Sequence, residues 1–401
     1  MSRHGHHVGA MTVATQPSPR RLFTPAFIAL GVAELAYFTA AGVPIYALPM
    51  YVTGPIGGDE AAAGLSFGIF AVSALVLRPL AGRLADLRGR LPLLLGGALL
   101  AATSLALMAV ADDLVAVIAL RLLAGVAEAA FFVAGFAALA DLAPPARLGE
   151  ALSYNSLGLY LGLALGPPLG EFLVANWGFD AAWIGAAALA VLAAGLTLLV
   201  GETREGPPVD TSHHGIFHRP AIPISIGFIA SLAPIGGFVA FAALHATRVG
   251  LAQASLALFT YGAVVIVCRI AFARVPDRLP SLPLATAALV VIGLGLGLVA
   301  LWAAPAGLIV GVAVMAVGVA FSTPAFFSAI FATATPSQRG TASGTASAAI
   351  DLGLGLGPIA LGLVARPFGI PWAFAVAALI AFAGAAWMLR LALRERVPRP
   401  G

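Results

Sequence analysis

Four charged side chains stand inside long stretches that are otherwise apolar: Glu34, Arg121, Glu128 and Asp351. In hydrocarbon each costs roughly 2.5–3.5 kcal/mol on insertion scales, so a chain that keeps one has a use or a partner for it. Arg121 and Glu128 are seven residues apart, two turns along one helix face and about 10 Å along its axis. Glu34 lies thirteen residues past Arg21, about 20 Å into a helix. The chemistry open to such a set is proton exchange. Burial favours the neutral carboxyl and a nearby guanidinium favours the carboxylate, so a movement of one against the other switches proton affinity. A static ion pair between two helices, or direct contact with a substrate, are the alternatives. Asp351 is a weaker candidate, standing where the first half of the chain has Tyr160. Glu171 and His245 read as ordinary water-exposed groups near span ends.

The elements that must position these residues are membrane spans. Of 401 residues, 61% are hydrophobic and 9% charged, and the mean hydropathy is +1.01. A soluble domain carries roughly 25% charge, and one span needs about 20 apolar residues. Twelve stretches qualify: 22–50, 61–82, 91–111, 114–141, 149–176, 181–201, 220–245, 252–273, 282–302, 306–333, 340–364 and 371–391. The expected fold is all-α and integral to the membrane, twelve transmembrane helices in two six-helix bundles. The bundles are 22–201 and 220–391, joined by a polar linker at 202–219 and flanked by tails at 1–21 and 392–401. The first span is too long for a cleaved leader. His4, His6 and His7 in the first tail, and His213 and His214 in the linker, read as solvated residues, with metal binding by the tail as the alternative.

Composition excludes several functions. Every basic residue is Arg, and a phosphate-binding loop of the Walker type needs Lys, so ATP does not drive this chain. The single Cys268 permits no intrachain disulfide. No set of His and acidic residues has metal-ligand spacing and no nucleophile stands with a base, so no enzyme, metal or cofactor is expected. The sequence pI of about 9.7 could suggest nucleic acid, but the Arg residues follow topology instead. With the N-terminus cytoplasmic, eighteen fall inside, only Arg248 and Arg366 outside, and Arg121 within a span. Both termini are then cytoplasmic, the partners are lipid, protons and a small molecule, and a monomer is expected.

The two halves repeat at a constant offset of 191 residues. Arg78 matches Arg269, Arg83 matches Arg274, Asp86 matches Asp277, Gly162 matches Gly353, and Gly166-Pro167 matches Gly357-Pro358. A parallel six-plus-six repeat is one architecture for alternating access, with substrate near the midplane between the halves.

Three motifs carry a family likeness over nearly the whole chain. Gly82 to Arg90, reading Gly-Arg-Leu-Ala-Asp-Leu-Arg-Gly-Arg, resembles the signature loop between spans two and three of the major facilitator superfamily. Arg121 to Gly125 resembles its span-four motif. Gly162 to Gly170, with Gly166-Pro167, resembles the span-five motif of its twelve-span drug and metabolite antiporters, the arabinose-efflux-permease type. Leu87 departs from the pattern, which has a basic residue there; Arg88 stands beside it. The resemblance implies a cytoplasmic gate of Gly82, Arg83, Asp86, Arg88, Arg90 and Asp141. In it Arg90 pairs with Asp141, Asp86 meets the start of span eleven near Gly340, and Gly82 lets helices approach closely. Membrane-edge anchoring is the plainer alternative. The Gly162, Gly166, Gly170 stripe with its Pro167 fits either an exporter or simple helix packing.

The resemblance also places spans one, four, seven and ten around a cavity. Glu34, Arg121 and Glu128 would share one wall, with no charged equivalents in the second half. Phe228, Phe238 and Phe241, with Phe321, Phe326 and Phe327, would form an apolar wall suited to an amphipathic substrate. Proton-coupled efflux of a small amphipathic molecule or drug is the expectation. Uptake by symport is the main rival, and a membrane-embedded enzyme or non-transporting scaffold stand behind it.

Overall fold

The computed structural model describes residues 22–144, 147–204, 218–335 and 338–396; the histidine-bearing tail and His213-His214 lie outside them. Among the described residues the chain is helical without strands. Twelve long helices follow one another: α1 Pro25–Thr53, α2 Glu60–Arg88, α3 Leu91–Met108, α4 Leu114–Leu142, α5 Leu148–Trp177 and α6 Phe179–Val200. The second half has α7 Ile222–Arg248, α8 Ser255–Ala271, α9 Ser281–Leu301, α10 Pro305–Ala332, α11 Arg339–Phe368 and α12 Ile370–Arg396. Eleven are long and apolar enough to cross a bilayer. The 17-residue α8 spans about 26 Å, a little under the ~30 Å hydrocarbon core. It ends at Ala271, with one further helical turn at Val275–Arg278.

Short polar caps and glycines cut the apolar chain into these lengths. Thr24, Asp59 and Asp113 each accept a hydrogen bond from the amide three residues on, opening α1, α2 and α4. Gly178 and Gly369, repeat partners, are the single residues between α5 and α6 and between α11 and α12. Their φ values of 85° and 89° suit a residue without a side chain.

The packing obeys the repeat. In the first half α1 lies on α5 and α6, α2 on α4, and α3 on α4 and α6; adding six to each number gives the second half. The halves meet where α2 packs on α11 and α5 on α8, pairs that the same shift exchanges. Small residues make these meetings close. Cβ atoms placed on Gly355 and Gly262 would lie 2.7 Å from the Ala71 methyl and 2.5 Å from the Ala164 methyl, and these two contacts are repeat partners.

Of the two faces, ion pairs among the described residues tie the halves at one only. Call the face where α1 begins and α12 ends the terminal face, and the other the distal face. At the distal face Arg366 pairs with Asp59 at 2.9 Å, and Arg248 pairs with Glu60. Glu171 of α5 accepts hydrogen bonds from the Ala254 and Ser255 amides, 2.8 Å each, at the start of α8. The expectation of a solvated Glu171 is thereby corrected. So is that for His245, which is buried with its ring edge-on to Phe374. Among the described residues the ion pairs of the terminal face stay within the first half, so the closure they show is distal.

Candidate functional site

A chain that buries few charges gathers three of them midway along α2, α4 and α11. Because α2 runs on to Arg88, Arg78 stands ten residues inside its end, about 15 Å deep. Its Nη2 donates to both Glu128 oxygens at 3.2 and 3.3 Å, and to Asp351 Oδ1 at 3.0 Å. Its Nε lies 2.7 Å from Asp351 Oδ2, an ion-pair contact whose N–H is not aimed along the line between them. The guanidinium also sits over the Phe132 ring, 4.6 Å from its centre. Side-chain exposure is 16% for Arg78, 13% for Glu128 and 6% for Asp351, so little water screens the set. One guanidinium thus holds a carboxylate of its own half and one of the other.

Sequence reasoning found Glu128 and Asp351 but gave the partner's place to Arg121. In the structure Arg121 Nε donates to the Ser66 carbonyl at 3.2 Å and its guanidinium lies 4.8 Å from the Phe70 ring centre. It fastens α4 to α2 nearer the distal face. Glu34 is buried between α1 and α4, one oxygen without a hydrogen-bond partner and the other where a Gly135 side chain would stand. A Cβ on Gly135 would come within 2.7 Å of it, so the missing side chain makes its room. Glu34 therefore neither pairs with Arg121 nor joins the Arg78 set.

Two further expectations change. Phe228, Phe238, Phe241 and Phe326 are fully buried in this conformation rather than facing an open cavity. Phe228 stacks on Phe326, Phe238 meets Tyr261 and Phe374, and Phe241 presses on Gly64 of α2 at the distal seal. Phe321 and Phe327 are only partly buried. The span-five glycines pack. Cβ atoms on Gly162 and Gly170 would lie 2.8 Å from Phe38 Cβ and 2.9 Å from the Val43 carbonyl, and Gly166 meets Gly42 backbone to backbone. Such packing fits either reading of that motif, and Pro167 lies within the continuous α5.

At the terminal face Arg90 pairs with Asp141 at 3.1 Å, as the motif implies, and with Asp86 at 3.0 Å. Asp86 is thus engaged within its own half. Among the described residues an added methyl on Gly82 would meet only Val133 of α4, at an ordinary 3.9 Å, and not the start of α11. Arg83 and Arg88 are exposed. Unforeseen were Glu202 and Arg204. Glu202 accepts from the Arg90 and Leu91 amides at 2.9 and 3.2 Å, capping α3, while Arg204 Nη1 donates to the Asp86 and Leu87 carbonyls at the end of α2. Partial burial pushes the Glu202 carboxyl up, but the backbone N–H groups of Arg90, Arg204 and Leu91 outweigh it and hold it below the ordinary value.

No group of three or more potential metal ligands occurs among the described residues. The arrangement holds charge across the seam between the two halves.

The family model described as Major Facilitator Superfamily matches residues 30–330 and 226–401. An uncharacterized MFS-type transporter of Salmonella typhimurium is 30% identical over 386 residues, covering 91% of this chain and 96% of the relative. One from Burkholderia pseudomallei is 28% identical over 388 residues, with 92% and 93% covered. Among solved structures, a peptide transporter POT in complex with alafosfalin aligns with TM-score 0.81 at 15% identity, covering 94% of this chain and 96% of that one. A bacterial homolog of the human lysosomal transporter Spinster, inward-facing and occupied, gives 0.75 at 17% identity, with 96% and 100% covered. The human organic anion transporter MFSD10 gives 0.69 at 18% identity, with 93% and 100% covered. The chain belongs to the major facilitator superfamily and is a multi-pass membrane transporter, not an enzyme.

Proposed function

We propose that the protein is a proton-coupled exporter of a small amphipathic organic molecule in the cell membrane, working by alternating access with both termini cytoplasmic. In this reading the conformation is closed to the outside by the distal contacts, and the Arg78 set lies midway between the two faces. The observation that carries it is the sharing of Arg78 between Glu128 and Asp351. Two carboxyls around one guanidinium leave room for one proton at neutral charge. Opening the outside draws Asp351 away with the second half and leaves Arg78 to Glu128, so proton loading and the swing of the halves become one event. Glu34, alone and buried against Gly135, is a second proton site in the same half. No cofactor takes part, and the proton gradient supplies the drive.

Proteoliposomes with an imposed pH gradient test this, with a panel of amphipathic dyes and metabolites and an internal pH reporter. Substrate moving against the proton flow supports export; co-movement establishes uptake by symport instead. Glu34→Gln and Glu128→Gln keep expression and folding and lose pH-driven transport. Undiminished transport in both variants returns these carboxyls to a structural role.

A further inference from the structure

The internal repeat offers a comparison at the level of single side chains. Arg78 of α2 reaches across to position 351 of α11; its repeat partner Arg269 of α8 reaches across to position 160 of α5, and 351 and 160 are themselves partners at the same offset of 191. Both arginines therefore make the equivalent crossing between halves. What they meet differs. Arg78 finds Asp351, with Glu128 behind it. Arg269 finds the Tyr160 ring, its guanidinium 4.2 Å from the ring centre, and the partner of Glu128 is Val319. Arg269 Nε and Nη2 are buried without an acceptor among the described residues.

A ring face offers a cation a weak partner, and a buried guanidinium ordinarily has a carboxylate. The first half shows what complements an arginine at this place in the fold, and among the described residues no carboxylate stands against Arg269. We infer that Arg269 is the docking point for an anionic group of the transported molecule, a carboxylate, phosphate or sulfonate. That group engages Arg269 as Asp351 engages Arg78. The Tyr160 ring then provides aromatic surface beside it, so the substrate is an organic anion rather than an amphipathic cation. This rests on the transporter reading above and narrows its substrate class. It also gives the two halves distinct tasks at equivalent positions: the first arginine balances acids of the protein, the second an acid that arrives and leaves.

The test measures binding by thermal stability of the purified full chain, which needs no gradient. The probes are fluorescein and 4-hydroxybenzoate as anions, and rhodamine 6G and tyramine as size-matched cations. Wild type is stabilised by the anions and not by the cations, a selectivity read without any variant. Arg269→Gln weakens anion binding by about ten- to a hundredfold, the weight of a charge-assisted hydrogen bond. Without ligand, Arg269→Gln melts at or above the wild-type temperature, since no acid among the described residues loses its partner; a purely structural stacking role would lower it. Arg269→Lys retains part of the affinity. Stabilisation by the cations alone, by none of the four probes, or by the anions equally in Arg269→Gln overturns the inference. Cation binding together with proton-driven transport would leave the transporter reading standing, whereas anion binding without proton response would do the reverse.

Discussion

Asp351→Asn is the perturbation that isolates the bond between the halves. The substitution keeps the side-chain volume and leaves Arg78 with Glu128, so the ~3–5 kcal/mol penalty of abandoning a buried charge does not apply. What is lost is the difference between a charge-assisted hydrogen bond, about 1.5–3 kcal/mol, and a neutral one, about 0.5–1.5 kcal/mol. With the aligned contact at 3.0 Å and Asp351 only 6% exposed, that difference is about 1.5 kcal/mol with little discount for solvent. Because the contact joins the halves rather than folding either, its loss falls on the balance between distally closed and distally open forms, about tenfold in population. Spin labels at Val110→Cys, just past the distal end of α3, and Leu301→Cys, at the distal end of the repeat-related α9, both exposed, with Cys268→Ala as background, read that balance as a distance distribution by pulsed electron paramagnetic resonance. The longer-distance population rises about tenfold in Asp351→Asn, and adding Arg78→Gln produces much less than a further additive shift. If the distributions of Asp351→Asn and its parent superimpose above and below neutral pH, the contact does not hold the halves and the coupling argument built on it fails.

Two further outcomes test the packing and the caps. Gly42→Ala puts a methyl 2.9 Å from Gly166 Cα and 3.2 Å from the Gly162 carbonyl, backbone that cannot yield locally, and lowers stability by about 1–3 kcal/mol in thermal unfolding. Gly31→Ala in the same helix meets nothing within 4 Å and leaves the melting temperature unchanged or higher. Glu202→Gln costs about 0.5–2 kcal/mol at neutral pH through the weakened α3 cap. Since the folded carboxyl titrates below the ordinary value of about 4.3, its contribution is complete above that value and disappears as pH falls through the folded one. Wild type and variant therefore converge in melting temperature as pH falls below the folded carboxyl's titration, and a gap that stays constant through the acid range contradicts the cap.

The sequence made the span number and the repeat readable because hydrocarbon demands long apolar runs and the loops between them keep Arg, Asp and Pro in register. It misplaced what apolar composition cannot mark. The run in α2 fades at 82 while the helix continues to Arg88, so Arg78 read as a rim charge instead of a midplane one. Arg121 was given Glu128 by spacing along one helix, but a side chain chooses among neighbouring helices as well, and Ser66 and Phe70 of α2 were nearer. The phenylalanines of α7 were assigned to a cavity because an all-apolar helix gives no pattern to separate a cavity face from a packed one. The signal for the Arg78 pairing was present in the exchange of Tyr160 for Asp351 beside the kept Arg78 and Arg269, which could have been read as two equivalent crossings.

The Glu171 contact makes the backbone itself a clock for the cycle. Its carboxylate closes two amides at the start of α8, on the opposite half, 83 and 84 residues away in sequence. Whenever the distal face parts, the Ala254 and Ser255 amides lose those acceptors and meet solvent, and when it shuts they are withdrawn again. Deuterium uptake at two neighbouring backbone positions then counts openings directly, with no label, no substrate and no change to the chain. A transported molecule that speeds turnover would announce itself there before any has been seen to cross the membrane.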